Sequence, residues 1–269
     1  MKSDTFDPRI DYAAVYRTQM QDTRRTTKPA AAWDERAASY AGKAGQGGYV
    51  PAFIARMDLT GARTLLDVGC GPGTLALPLA RRLDHVVALD YSAGMLDQLR
   101  LRAAAEGVTN VTPLQCAWED DWHSVPVCDI AIASRSTTVA DLGAALAKLH
   151  AHARLRCYLS YLPGGRFIDP QIFDLLGLDE PRMPGLPVVI GMLRQMGVRP
   201  QLDFIDVPSR LAGTRGFDEF AERVAWTAGP FDADARERLR QWYEADAARA
   251  QAGGAAMRWA FIGWDVLPG

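Results

Sequence analysis

Between residues 63 and 161 the apolar positions gather into short runs, such as Leu65-Leu66-Asp67-Val68 and Val86-Val87-Ala88-Leu89, each followed by a longer stretch with helical spacing. Runs this short read as strands, and strands that are apolar nearly throughout are buried on both faces. The pattern predicts strands over 64–68, 85–89 (running into Asp90), 111–115, 129–133 and 156–160, with helices over 74–83, 94–105 and 139–154. Pro78 fits the first of these helices only within its opening turn, where no backbone N–H is needed. Strands alternating with helices of this length imply a parallel sheet covered by helices on both faces, an α/β fold.

The flanks have a different texture. Residues 1–29 are polar and predict a loose arm or short helices, and 30–42 reads as one helix with Trp33, Ala37 and Tyr40 on a single face. A further helix is predicted over 49–57. Beyond Pro163, helices over 167–177 and 188–196 are split by Pro-Arg-Met-Pro-Gly-Leu-Pro, a strand covers 201–207, and amphipathic helices cover 217–226 and 233–250. A strand pattern over 257–266 closes the chain. No internal repeat or low-complexity linker interrupts it. The expected organisation is a cap over 1–60, a ligand-binding core over 61–165, and helical additions plus the last two strands over 166–269, all in one domain.

The strongest chemical signal is Asp67-Val68-Gly69-Cys70-Gly71-Pro72-Gly73, placed between a predicted strand and a predicted helix. Glycines there let the backbone turn sharply and approach a ligand, and the helix start offers free N–H donors. Asp90 ends the next strand, 21 positions after Gly69, where an acid can accept hydrogen bonds from ribose hydroxyls. Nicotinamide dinucleotides and S-adenosylmethionine share this logic. A dinucleotide fingerprint wants a third glycine where Thr74 stands, and Asp67 would repel a pyrophosphate but suits a zwitterionic amino acid.

These pieces resemble the class I S-adenosylmethionine-dependent methyltransferases. The resemblance covers about residues 30–165 and rests on LLDVGCGPGTLALPLARRL (65–83), VVALDYSAGMLDQLR (86–100) and CDIAIASRS (128–136), with WDERAASY upstream and RWAFIGWDV downstream. It implies a Rossmann-like sheet of seven strands, the last running antiparallel between the fifth and sixth, and S-adenosyl-L-methionine as cofactor. It further implies that Gly69, Cys70 and Gly71, with Asp67 and Gly73 of the same loop, form the cradle for the methionine part. Asp90 would take the ribose, Tyr91 and Met95 would pack near the adenine, and Ser134 would offer its backbone to the ammonium group. Relatives often carry an acid followed by alanine after the third strand. Here Cys116-Ala117 stands there, leaving Ala117 and Trp118 as the adenine candidates. Tyr40 is placed to close over the cofactor or to serve as a core residue.

Methyl transfer from a sulfonium needs alignment and dryness more than a fixed catalytic group, and a base only where the acceptor must lose a proton. Three side chains are candidates for such roles. Arg135 could fork onto an acceptor carboxylate or phosphate, Tyr161 follows the fifth strand at the ligand-binding edge, and His123 lies in a loop where a histidine could act as a base. The acid run Glu119-Asp120-Asp121 has no histidine or cysteine at ligand spacing, so no metal is expected.

Composition narrows the partners. The chain of 269 residues has 30 basic and 32 acidic residues and a net charge of -2. Arginine dominates the basic residues, but they are scattered along the chain. Neither that balance nor the segment Ala133-Ser134-Arg135-Ser136, which replaces the Asn/Asp-Pro-Pro-aromatic motif of nucleic-acid amino methyltransferases, points to nucleic acid. Four scattered cysteines, no signal-peptide core and no long apolar run predict a cytoplasmic protein with no membrane partner. The expected activity is methylation of a small-molecule acceptor. A protein methyltransferase and a non-catalytic cofactor-binding protein remain alternatives, with a nicotinamide oxidoreductase behind them. Oligomeric state has no signature in the sequence.

Overall fold

The computed structural model describes residues 6–23, 28–45, 47–165, 167–180 and 183–266. Seven strands form one sheet: β1 (Thr64–Val68), β2 (His85–Asp90), β3 (Val111–Gln115), β4 (Cys128–Ser134), β5 (Ala153–Tyr161), β6 (Gln201–Val207) and β7 (Met257–Asp265). Their order is β3-β2-β1-β4-β5-β7-β6. Pairs β1–β2, β1–β4, β2–β3 and β4–β5 are parallel, and β7 runs antiparallel to both β5 and β6. This is the expected Rossmann-like sheet, with its last strand inserted between the fifth and sixth.

The central strands carry apolar residues on both faces because both faces are covered. Leu65, Leu66, Val86, Ala88, Ile130, Ala131 and Ile132 are fully buried. The edges differ. Pro113 sits in edge strand β3, where a missing N–H costs no ladder bond. Edge strand β6 carries Asp203 and Asp206, which pair with Arg56 and Arg258 and discourage pairing with another chain.

The helices are α1 (Tyr12–Asp22), α2 (Ala30–Asp34), α3 (Ala37–Lys43), α4 (Tyr49–Ala55), α5 (Ala76–Ala80), α6 (Ala93–Ala105), α7 (Leu142–Ala151), α8 (Pro170–Leu176), α9 (Leu186–Gln195), α10 (Phe217–Ala228), α11 (Ala233–Ala245) and α12 (Ala247–Ala252). None of the described helices is long and apolar enough to cross a membrane.

Three segments depart from the sequence expectation, while in the described part of the N-terminal stretch the short-helix alternative is the one that forms. Helix α1 buries Tyr12, Tyr16 and Met20 in the main core, the Tyr16 hydroxyl donating to the Val139 carbonyl at 3.0 Å and the Tyr12 ring lying against Gly191 of α9. The helix expected over 30–42 breaks at Glu35-Arg36. The helix expected over 74–83 shrinks to α5, with Pro78 in its first turn. The helix expected over 233–250 divides at Asp246, whose carboxylate caps α12 by accepting from Arg249 N.

Apolar packing forms three clusters. One covers each face of the sheet, and a third lies within the additions, where Ile172, Phe173, Phe220, Val224, Leu239 and Tyr243 come together. The helices α8, α10 and α11 therefore hold one another through a core of their own.

Gly73 links the glycine loop to this packing. Its φ of +77° is disfavoured for other residues, and an added Cβ would collide with Leu99 and Leu77. Gly73→Ala is expected to lower stability by about 2 kcal/mol or more in urea unfolding. A loss below about 0.5 kcal/mol would contradict this packing role.

Candidate active site

Beta strands of a parallel sheet end where their connecting loops begin, and the crevice at their carboxyl ends is the usual ligand site of an open α/β fold. Here the strand order reverses between the paired strands β1 and β4, and a cleft of about 1590 Å³ opens at their carboxyl ends. Pockets for one drug-sized ligand hold about 300–1,000 Å³, so this one has room for two reactants.

The glycine loop forms one wall. Gly69 N and Cys70 N both donate to the Leu89 carbonyl, at 2.7 and 3.0 Å, strapping the loop to the end of β2. Gly69 has φ +71°, and any Cβ there would strike Ser136, whose hydroxyl donates to the Val68 carbonyl at 2.7 Å. Gly71 faces open space, with only the Met95 sulfur near a built Cβ, so its backbone is approachable from the cleft.

Two carboxylates lie beneath the loop. Asp90 is buried and accepts from Gly71 N at 2.8 Å and from Ser92 N at 2.9 Å. Burial raises its pKa above the ordinary range, against the pull of these backbone donors. Asp67 is more extreme. Burial, then the neighbouring Asp90, push it up to about 7, with a hydrogen bond from the Ala76 backbone opposing. Its Oδ2 is buried with no hydrogen-bond partner. A buried carboxylate oxygen without a donor, in the wall of a cleft, is placed to receive one from a ligand.

The opposite wall comes from the flanks. Asp34 of α2 accepts from the Ser92 hydroxyl at 2.6 Å and from Gly94 N at 2.8 Å, and Gly94 is close enough that a Cβ would meet the Asp34 backbone. This clip fixes the cap over the start of α6, and Tyr91 reinforces it by donating to the Lys28 carbonyl at 2.8 Å. Trp33 packs edge-on against both Tyr40 and Trp226, at 5.4 and 5.3 Å. The loop after β3 is held by Trp118, which stacks on Trp122 at 5.2 Å and donates its indole N–H to the Ser136 carbonyl at 3.0 Å.

The matches to known proteins agree with this geometry. A profile of the methyltransferase domain matches residues 65–155. An uncharacterised protein of Haemophilus influenzae is 30% identical over 266 residues, which cover 96% of this chain and 97% of that one. Among solved structures, the YcgJ protein of Bacillus subtilis shares the fold with a TM-score of 0.58 at 19% identity, over 82% of this chain and 98% of that one. Phosphoethanolamine N-methyltransferase 2 of Haemonchus contortus, solved with phosphomonomethylethanolamine and S-adenosylhomocysteine, does so with a TM-score of 0.54 at 16% identity, over 93% of this chain and 59% of that one. The chain belongs to the class I S-adenosylmethionine-dependent methyltransferases.

In this methyltransferase the cleft is lined by Tyr40, Asp67, Gly69, Cys70, Gly71, Asp90, Tyr91, Met95, Ala117, Trp118, Ser134 and Arg135. Cys116 lines it too. Three residues singled out from the sequence lie elsewhere. Gly73 faces Leu99 and Leu77 instead of the cleft. Tyr161 is buried behind it, donating to the Pro184 carbonyl at 2.7 Å, because the side chain at the end of β5 points into the core. His123 is exposed on the surface and pairs with Asp121 at 3.0 Å. Burial raises the Cys70 thiol well above its ordinary pKa, which keeps it protonated and poorly nucleophilic.

Other lining residues had no local sequence signal. Tyr49 of α4 is buried and joins Ser134 and Ser160 through its hydroxyl at 2.8 and 2.7 Å. Burial raises its pKa, so it stays a neutral phenol. Arg210 and Trp259 come from the loop after β6 and from β7, about 140 and 190 residues from the glycine loop. Only their neighbours in space identify them.

Asp67 makes the site sensitive to pH. Its folded pKa, about 7, lies above the ordinary value of 3.8. The folded state therefore binds more protons, and stability falls as pH rises from about 4 through about 7. Asp67→Asn, which carries no charge, should gain stability relative to the parent by about 2 kcal/mol between pH 5 and pH 8. Parallel stability curves over that range, measured by urea unfolding, would show Asp67 titrating as an ordinary carboxylate.

Proposed function

We propose that this methyltransferase binds S-adenosyl-L-methionine at the glycine-loop end of the cleft and methylates a small molecule held in the remainder. The observation that carries this reading is the continuity of the cleft. A single cavity includes the loop, Asp67 and Asp90, and extends past them to Arg135, Arg210 and Trp259.

The residues present fit the cofactor. The orphaned Asp67 Oδ2 offers an acceptor for its ammonium group, and the open face of Gly71 admits its methionine part. Asp90 retains lone pairs for the ribose hydroxyls beyond those taken by Gly71 and Ser92. Tyr91, Met95, Ala117 and Trp118 supply the surface for adenine, Ser134 its backbone for the amino-acid end, and Tyr40 a cover from the cap. Bound there, the cofactor supplies a methyl group activated for in-line displacement.

The chain's contribution is then mainly positional. The cap (1–60) and the additions (166–269) enclose the acceptor and exclude water, while the core (61–165) holds the cofactor. Of the side chains considered for proton transfer, Tyr49 is a neutral phenol and His123 lies outside the cleft. A base is needed only where the acceptor must lose a proton. The concave cleft and the charge of -2 favour a small molecule over protein or nucleic acid, and four unpaired cysteines suit action in the cytoplasm.

Calorimetry with S-adenosylmethionine or S-adenosylhomocysteine should show binding, weakened about tenfold or more by Asp90→Ala. Incubation of a whole-cell extract with methyl-labelled cofactor should place the label in the small-molecule fraction. Label confined to protein would favour a protein acceptor, binding without any label transfer would favour a non-catalytic role, and absence of cofactor binding would remove the reading altogether.

A further inference from the structure

In the wall of the cleft, three aromatic rings form a row. Trp259 of β7 packs edge-on against Tyr49 at 6.3 Å and against Phe167 at 6.1 Å. Each outer ring carries a guanidinium on its face, Arg135 at 4.3 Å over Tyr49 and Arg210 at 4.0 Å over Phe167. All five residues line the cleft.

These two arginines differ from their neighbours. Arg36 and Arg223 also line the cleft, but each is paired with a carboxylate, Glu222 at 2.8 Å and Glu219 at 2.6 Å. Neither Arg135 nor Arg210 has an ion pair or a side-chain hydrogen bond to an acceptor among the described residues, although Asp179 and Glu180 line the same cavity. The two cations also feel each other. Burial lowers the pKa of Arg210 and Arg135 lowers it further, with Tyr40 opposing. Stacking on an aromatic face offsets only part of the cost of withdrawing a guanidinium from water.

Arg135 is also held in place. It is the one non-glycine residue with positive φ, +58°, among those described, and its N–H donates to the Ser160 hydroxyl at 2.9 Å. A backbone conformation of this kind persists where the surroundings over-determine it, often at a ligand site. Ser160 is the same hydroxyl that receives the Tyr49 hydroxyl, so ring, backbone and guanidinium are tied to one point. Trp259 adds a second kind of unmet donor, because its buried indole N–H has no acceptor. Among the described residues, the guanidinium of Arg135, which is exposed to the cleft, that of half-buried Arg210 and the Trp259 indole N–H thus have no protein acceptor, and the Trp226 indole N–H is a further unmet donor of the same cleft.

We infer that the acceptor is an anion whose carboxylate or phosphate group is held by Arg135 and Arg210. The inference rests on the cofactor-and-acceptor reading of the cleft and assigns the chemistry of its second half. Both groups match the planar fork of an arginine, which grips two oxygens at once. Of the other cations lining the cleft, Arg36 and Lys28 lie over the Trp226 ring at 4.2 and 4.1 Å, Arg223 pairs with Glu219, and Lys43 stands in the last turn of α3.

The full chain saturated with S-adenosylhomocysteine can be titrated calorimetrically with benzoate, phenyl phosphate and neutral benzamide. Binding of one or both anions, but not of benzamide, is expected, and the tighter anion distinguishes carboxylate from phosphate. Arg135→Gln and Arg210→Gln should each weaken that anion about tenfold or more. Arg210→Lys should recover part of the loss, and Arg210→Gln should leave the affinity for S-adenosylhomocysteine within about twofold of the parent. Retained S-adenosylhomocysteine binding also certifies that each variant is folded. The inference is overturned if neither anion binds, if benzamide binds as well as they do, or if both glutamine variants bind the anion like the parent, in a chain that still binds S-adenosylhomocysteine. A parent chain that fails to bind S-adenosylhomocysteine instead overturns the proposed function beneath it.

Discussion

The site depends on two carboxylates buried side by side under a glycine loop. Asp67 is the penultimate residue of β1 and Asp90 ends β2, and parallel pairing of those strands brings their carboxyl ends together. Two buried acids repel each other, and the fold answers that repulsion unevenly. Asp90 is given two backbone donors, Gly71 N and Ser92 N, while Asp67 keeps one oxygen without a partner. The result is one carboxylate that organises the loop and another whose burial beside it raises its pKa to about 7. Everything around the pair serves this division: the loop strapped to Leu89, the glycine at 69 pressed on Ser136, and the cap clipped to Ser92 by Asp34.

The cap and the additions complete what the sheet begins. A glycine loop and an acid at a sheet edge bind only a part of a reacting pair, and the edge is open to water. Here α1 is anchored in the core through Tyr12 and Tyr16, α2 is locked to α6, and the additions have a hydrophobic cluster of their own. The rings Trp33, Tyr40 and Trp226 join cap to additions across the cleft. The part of the cleft beyond the glycine loop is accordingly built by segments remote in sequence from it, and Arg135 and Arg210, the groups proposed to hold the acceptor, lie there.

Much of this was legible in the sequence, for identifiable reasons. Strands buried on both faces leave unbroken apolar runs, so β1 falls where the pattern puts it, the edge strands β3 and β6 also lie at their predicted positions although their mixed polar sequences are only partly buried, and the loop with Asp90 follows from strand ends. Helix ends were harder. The breaks at Glu35-Arg36 and Asp246 arise from how short helices dock, and the periodicity of the apolar positions runs straight through them. Of the three side chains considered for acceptor chemistry, Arg135 faces the cleft, whereas Tyr161 turns inward and His123 turns to solvent. Strand-end position alone does not fix which way a side chain points. Tyr49, Arg210 and Trp259 were invisible as site residues because nothing local marks them, and they meet only when α4, the loop after β6 and β7 come together.

The central claim is that one cavity has a cofactor end and an acceptor end. A crystal structure of the complex with S-adenosylhomocysteine tests it most directly. The account predicts ribose hydroxyls on Asp90, the ligand's ammonium group serving the free oxygen of Asp67, and the space between Arg135 and Arg210 left open. A ligand lying across the two arginines, or seated away from the glycine loop, would contradict it.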